Sequence, residues 1–311
     1  MQASPRTRPA SHSGRSTSDF GLAQALDSFR RYDTWRLSRY LETGDSARGG
    51  VLKFNAATLL HFSDVGYFNR LYDFGPENVE DLSAIETLYR KEYRVPRSFG
   101  VSLVAREGFD LDTLGEVLRR HGFEPTDATA RLGLDLEREP ASVITLESSE
   151  SSSVVDSFRK PIGSVSESHA RLEFRQPVRH EYDTVLDLYL SGFQSPVQNH
   201  RVAKRNMIQL FDQPELVTWC GFDQGTPVAL GMLFMKPPVG VLVAGVTSPA
   251  YQQRGVHDAL IQLRITHAKA LGCRHLYAWA DADGQSCRNL IAQGFELLRI
   301  DRVWSQRTES Q

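Results

Sequence analysis

Eight consecutive positions, Val239 to Val246, are apolar or glycine, and a short polar turn with one glycine, Gly255, follows them. The unbroken apolar run predicts a buried strand. Beyond the turn, Val256, Ala259, Leu260, Leu263, Ala270 and Leu271 fall on one face of a predicted helix, and Gly272 is suited to stop it. A strand that passes through a glycine turn into a helix aims free backbone N–H groups at one spot. The positive end of the helix dipole points there too, so the spot suits a phosphate or diphosphate.

The pattern continues on both sides. Downstream come a second strand-like run, His275 to Asp281, a polar turn, and a short helical stretch that ends in Gly294-Phe295. Upstream, helices are predicted over about Glu181–Leu190 and Arg201–Phe211, then strands over Leu216–Phe222 and Val228–Lys236, joined by the turn at Asp223–Pro227.

The turn Gln252-Gln253-Arg254-Gly255-Val256-His257 resembles the coenzyme A loop, Q/R-x-x-G-x-G/A, of the GNAT superfamily of acyl-CoA N-acyltransferases. Pro249 and Tyr251 stand where that family often has them, and the strand, helix and Gly-Phe that follow resemble its next motif. The resemblance covers roughly Phe174 to Trp304. It implies an α/β fold with a mixed, mostly antiparallel twisted sheet flanked by helices. It also implies acetyl-CoA as co-substrate and direct attack of an amine on the thioester, without a covalent acyl-enzyme. In that reading Gln252 and Gln253 belong to the loop, and the N–H groups of Arg254, Gly255, Val256, His257 and Asp258 hold the diphosphate. The backbone of Val246, Thr247 and Ser248 pairs with the pantetheine arm, and the N–H of Val246 or Thr247 points at the thioester oxygen.

Three positions depart from the family pattern. His257 stands where glycine or alanine is usual; its side chain either crowds the diphosphate, adds charge to it, or turns outward. Leu290 replaces the usual tyrosine acid. A thiol pKa near 8.5 makes the thiolate a tolerable leaving group without one. Ser286 and Cys287 share a helical face with Leu290 and are candidate substitutes, against the plainer readings of a helix cap and a small buried residue. Asp283 lies where many relatives carry an asparagine that touches the pantetheine arm. Asp281 ends its strand on the face of Tyr277 and Trp279 and is the candidate general base, against a capping role. The loop Ser191 to His200 is the expected place of acceptor specificity.

Ten of the thirty residues between Ala141 and Ala170 are serine, which marks a linker. It separates residues 19–140 from 171–311, and the two halves repeat. Leu118 to Glu124 mirrors Leu290 to Glu296, with Gly122 and Gly294 172 positions apart. The chain thus resembles a tandem GNAT protein with a degenerate front copy. Counting back 172 from the glycine loop lands near Glu80–Ile85, where Glu77, Glu80 and Asp81 would repel a diphosphate. Leu111, Leu114, Val117 and Leu118 give the front half a core. It is expected to act as a lid or scaffold, so that residues 171–311 alone would bind acetyl-CoA but lose solubility or turnover. Phe68-Asn69-Arg70 is read as a strand end that ties down a loop.

The 311 residues suffice for two ordinary cores, and a net charge of −2 argues against a nucleic-acid or anionic-membrane surface. No apolar run approaches the roughly 18 residues that span a bilayer. Residues 1–18 read as a disordered tail. The three widely spaced cysteines fit a reducing cytoplasm. No metal ligand set is expected: His200, His267 and His275 show no ligand spacing, and His267 reads as structural, charged near a helix C-terminus. The partner expected is a small-molecule or peptide amine. The competing reading is a non-catalytic acyl-CoA-binding or interaction protein on a decayed scaffold.

Overall fold

Eleven strands form one continuous sheet among the residues that the computed structural model describes, which are 20–43, 49–62, 68–92, 99–103, 111–138, 172–195, 197 and 200–306. The predicted tail and the Ser-rich linker lie outside them. The front half runs α1 (Leu22–Thr43), β1 (Gly49–Phe54), β2 (Ala57–Phe62), β3 (Arg70–Phe74), α2 (Leu82–Glu92), β4 (Gly100–Leu103), α3 (Leu111–Arg120) and β5 (Phe123–Asp135). The back half runs β6 (Glu173–Arg175), α4 (Tyr182–Gly192), α5 (His200–Ile208), β7 (Leu216–Asp223), β8 (Thr226–Lys236), β9 (Val239–Thr247), α6 (Val256–Ala270), β10 (His275–Asp281), α7 (Gln285–Ala292) and β11 (Glu296–Gln306). From β3 and from β9 onward the element order is the same, as the repeat predicts.

The sheet order is β1-β2-β3-β4-β11-β5-β10-β9-β8-β7-β6. Two pairs are parallel, β3 with β4 and β9 with β10, and they hold equivalent places in the two halves. The other neighbours are antiparallel. The halves exchange their last strands: β5 pairs with β10 of the back half, and β11 pairs with β4 of the front half. The two exchanged strands also pair with each other from Phe123↔Gln306 to Gly133↔Glu296. Residues 19–140 and 171–311 therefore share one sheet instead of building two separate ones. Sequence order hides the exchange because either last strand satisfies the same apolar pattern.

Helix α1 ties the halves together on one face. Its Phe29 and Trp35 meet Trp279 and Phe234 of the back half at 5.0 and 4.9 Å between ring centroids. Its Tyr40 meets Phe62 and Phe68 of the front half. Under α6 and α7, on another face, Leu276, Ala278 and Ala280 pack with Ile261, Ile265, Cys287 and Leu290. A third core holds Leu59, Leu71, Ile85, Leu114, Leu118 and Trp304. Asn69 does tie down a strand end: its Oδ1 accepts the Phe62 N–H at 2.8 Å and its carbonyl accepts the Gly100 N–H at 2.7 Å.

Helix α6 departs from its predicted single stripe. Ala270 is exposed, while Ile261, Ile265 and Ala268 are buried beside Val256 and Leu260. The helix is buried on two sides because α7 packs against it as well as the sheet. His267 is 4% exposed and stacks edge-on against Trp219; burial pushes its pKa down to about 4. It is structural as expected, but neutral, because desolvation outweighs the pull of the helix C-terminus.

Candidate active site

β8 and β9 slip register between Met232 and Leu233, which leaves Val243 unopposed. Such a bulge bends its strand and increases its twist. β9 consequently stays beside β10 only from Val239↔His275 to Leu242↔Ala278. Beyond that, Ala244–Thr247 follow β8 while Trp279–Asp281 follow β5, and the two strands diverge. The amide of Ser248 donates to Val228 at 2.9 Å. By strand alternation the Val246 N–H also faces β8, and the Thr247 and Gly245 N–H groups face the opening.

The chain then turns through a short 3-10 turn, Pro249–Tyr251, with Gln252 donating to the Thr247 carbonyl at 3.1 Å. Tyr251 donates to Asp223 at 2.5 Å and the Arg254 guanidinium lies 5.5 Å from its ring centre. Gly255 caps α6 with φ +72°, a left-handed conformation that suits glycine, and no side chain caps the helix. The first N–H groups of α6 thus lack intrahelical acceptors. They open into a cavity of about 510 Å³ lined by Gly245, Thr247, Tyr251, Gln252, Gln253, Gly255, Val256, His257, Asp258, Gln285, Ser286 and Asn289.

A splayed parallel pair, a bulged strand with inward N–H groups and an uncapped helix start are now assembled in one place, and residues 182–295 match the model of the acetyltransferase (GNAT) family. Residues 182–295 are a GNAT acetyltransferase domain. Whole-chain likenesses extend the fold to the front half. A GCN5-related N-acetyltransferase from Kribbella flavida superposes with TM-score 0.56 at 15% identity, covering 89% of this chain and 95% of that one. A tandem GNAT protein from the clavulanic acid biosynthesis pathway gives 0.57 at 11%, covering 93% and 97%. A conserved protein of unknown function from Staphylococcus epidermidis gives 0.57 at 11%, covering 83% and 94%. At these identities the likeness carries the tandem GNAT fold alone. No curated protein matches the sequence.

The GNAT domain brings most of the expected loop residues together, and it sorts the others. Thr247, Gln252, Gln253, Gly255, Val256, His257, Asp258 and Ser286 line the cavity. Val246 is buried with its amide turned to β8, and the Ser248 amide is taken by Val228, so of the three strand-end residues only Thr247 offers its N–H to the opening. The Arg254 side chain is exposed beside Tyr251.

His257 turns inward. Its Nδ1 is 2.9 Å from the Asn289 amide, and burial, then the nearby Arg264 charge, bring its pKa down to about 4. It is neutral at neutral pH, so it adds no charge to a diphosphate and does not point outward. Arg264 lies beneath it, 2% exposed, donating to the carbonyls of Leu260, Met232 and Ala244 at 2.9, 3.3 and 2.8 Å. Burial lowers its pKa to about 9, which leaves it protonated at neutral pH under the cleft floor.

Cys287 is 4% exposed in the core with Leu290, and burial pushes its thiol up. The small-buried-residue reading is the one its position supports. Asp281 is exposed at the end of β10; its Oδ1 accepts the Asp283 N–H at 3.3 Å and its carbonyl the Gly284 N–H at 3.0 Å, a turn-capping role. Asp283 is exposed, lies outside the cavity, and accepts Arg288 on its carbonyl at 2.7 Å.

Sequence reasoning missed Gly245, Asn289 and Arg264. Asn289 follows Ser286 by three positions and so shares its helical face. Arg264 follows Leu260 by four, which places a charge on the buried stripe. Of the expected acceptor loop, residues 191–195, 197 and 200 are described. Gly192 packs tightly on Val246, where an added Cβ would come within 2.2 Å of its side chain, and His200 closes the loop onto the Ser195 carbonyl at 2.9 Å. Phe193 and Val197 are exposed.

Proposed function

We propose that the protein transfers the acetyl group of acetyl-CoA to the amine of a small molecule or peptide. The observation that carries this reading is the divergence of β9 from β10 after Leu242 and Ala278, directly beside the uncapped start of α6. The diphosphate would lie on the N–H groups of α6, with the helix dipole and the buried Arg264 charge both favouring an anion. The pantetheine arm would run along the free edge of β9. The Thr247 N–H would face the thioester oxygen, where a fixed donor stabilises developing negative charge; elsewhere such a donor is worth roughly 3 kcal/mol. The amine attacks the thioester carbon, the tetrahedral intermediate collapses, and the carbon–sulfur bond breaks to release the thiolate and the amide. Asp281, exposed at the end of β10, is the candidate base, acting directly or through water. Ser286 is the candidate proton donor that keeps a place in the cavity. The cytoplasm, where acetyl-CoA is at hand, is the compartment this reading requires.

The second reading, an acyl-CoA-binding protein without turnover, is favoured by Leu290, which is 4% exposed and offers no proton where the family has a tyrosine. Two measurements decide. In calorimetric titration the wild-type chain should bind acetyl-CoA, and Gly255→Asp should bind about a hundredfold more weakly, because it sets a carboxylate against the diphosphate. Equal binding by both proteins, or none by the wild type, would refute the loop assignment. Coenzyme A release with a panel of amines, peptides and aminoglycosides should show turnover. Tight binding without turnover on any acceptor favours the second reading.

A further inference from the structure

At the seam where the exchanged strand β5 meets β10, three ligand-bearing side chains from two distant segments of the chain converge. Asp135 and His275 are direct partners across the two strands. The Leu136 N–H donates to the Arg274 carbonyl at 2.9 Å, so Asp135 and His275 form the non-hydrogen-bonded kind of pair, whose side chains stand closer. Glu137 follows two residues later, its N–H held by Asp135 Oδ1 at 3.1 Å. One ligand atom from each of Asp135, Glu137 and His275 lies within 4.8 Å of the others.

The histidine supplies the second observation. His275 is 3% exposed, and its Nε2 is buried without a hydrogen-bond partner. A relay fixes which nitrogen carries the proton. The Gly21 N–H donates to the Tyr277 hydroxyl oxygen at 3.3 Å, and Tyr277 donates to Gln24 Oε1 at 2.6 Å. That carbonyl oxygen, which can only accept, also meets His275 Nδ1 at 2.8 Å, so Nδ1 donates. In the neutral ring Nε2 is therefore a bare, buried lone pair on a histidine grouped with two carboxylates. A metal-binding histidine is usually arranged in this way, with its other nitrogen donating to a carbonyl or carboxylate.

We propose that Asp135, Glu137 and His275 bind a divalent cation of the zinc type, with Gln24 as the positioning residue. One imidazole nitrogen and two carboxylate oxygens suit such an ion, and solvent at the exposed Glu137 completes the shell. Arg138, whose Nε now pairs with Asp135 Oδ2 at 3.0 Å, has a side chain 68% exposed and can swing away as the cation arrives. The ligands come from β5 and the turn after it on one side and from β10 on the other. The ion therefore fastens the strand exchange itself, and its binding stabilises the folded chain by mass action.

The test uses the full chain, stripped with a chelator and titrated with Zn²⁺ by equilibrium dialysis and by thermal unfolding. One ion should bind per chain and raise Tm. Glu137→Gln, an exposed change that leaves the fold alone, and His275→Gln should each weaken Zn²⁺ at least about tenfold, and Gln24→Ala about 10- to 100-fold. Co²⁺ in place of Zn²⁺ should give ligand-field bands without thiolate charge transfer. Equal Zn²⁺ affinity in wild type and Glu137→Gln would overturn the site, as would thiolate bands that place the metal on a cysteine.

Discussion

The turn after β3 and the turn after β9 hold equivalent places in the two halves, and they treat the start of the following helix in opposite ways. Both strands carry a register slip, and both lead through a 3-10 turn, Pro76–Asn78 and Pro249–Tyr251, into a helix. After β9 the parallel partner is lost at Leu242 and a cleft opens. β3 is still paired with β4 at its last residue, Phe74↔Leu103. Gly255 leaves the N–H groups of α6 uncapped. Before α2, Asp81 accepts the side-chain amides of Asn55 and Asn78 at 2.8 and 3.4 Å, and the Glu77 carboxylate folds back over Gly75. Carboxylates at a helix N-terminus stabilise the helix and repel a second anion. One copy of the unit has been closed by its own side chains, and the other keeps the same dipole free for a ligand.

The sharpest way to break this comparison is to remove the closed copy. Residues 171–311 expressed alone would lose β5 from the side of β10 and α1 from over Phe234 and Trp279. An open strand edge and an uncovered aromatic face favour aggregation. The fragment is expected to be insoluble or oligomeric by size-exclusion chromatography, and a monomeric, fully active fragment would show that the front half is dispensable. Next in size is Arg264→Met, which strands the carbonyls of Met232 and Ala244 at the bulge. A loss of about 3 kcal/mol in denaturant unfolding is expected, together with weaker acetyl-CoA binding. Unchanged stability would mean that the cation does not hold the bulge.

Acid should act on the back half through His257 and His267, both held near pKa 4 when folded. Their depressed pKa values mean that the unfolded chain binds more protons between about pH 6.5 and 4. Stability is complete above the unfolded value and falls as pH drops through this window. His267 alone contributes a loss of about 2 kcal/mol by pH 5, and the half-buried His257 a smaller one. In His267→Gln the slope of stability against pH should be shallower, and an unchanged slope would contradict the neutral buried ring. The smallest effect is expected in the closed turn. Asn55→Ala removes one amide from Asp81 and should cost about 1 kcal/mol while leaving acetyl-CoA affinity untouched. A fall in that affinity would tie the front turn to the donor site.

Much of the back half was legible because its signals are local. The octet before Thr247 became β9, the spacing after Gly255 became α6, and Gly272 and Gly294 adopt the left-handed φ that ends a helix. The chemistry beside them was less legible. His257 and Asn289 lie 32 positions apart, and their contact depends on how α7 packs on α6. Cys287 and Ser286 are neighbours on one predicted face, yet one is buried with Leu290 and the other lines the cavity. A single residue's rotation around a helix separates those fates, and periodicity does not resolve it without knowing what the helix packs against.

The sequence by itself determined the strand–turn–helix around Gly255, the repeat between the halves, and the acidic closure of the front copy. Each rests on spacing, glycine and charge within a few residues. Tertiary structure decided which last strand completes which half, how α1 bridges them, and where the cleft opens. It also turned His257 and His267 neutral, buried Arg264 among carbonyls, and set Asp135 beside His275. Those outcomes depend on pairing register and on desolvation, which arise between segments far apart in the chain and leave no periodic mark in either one.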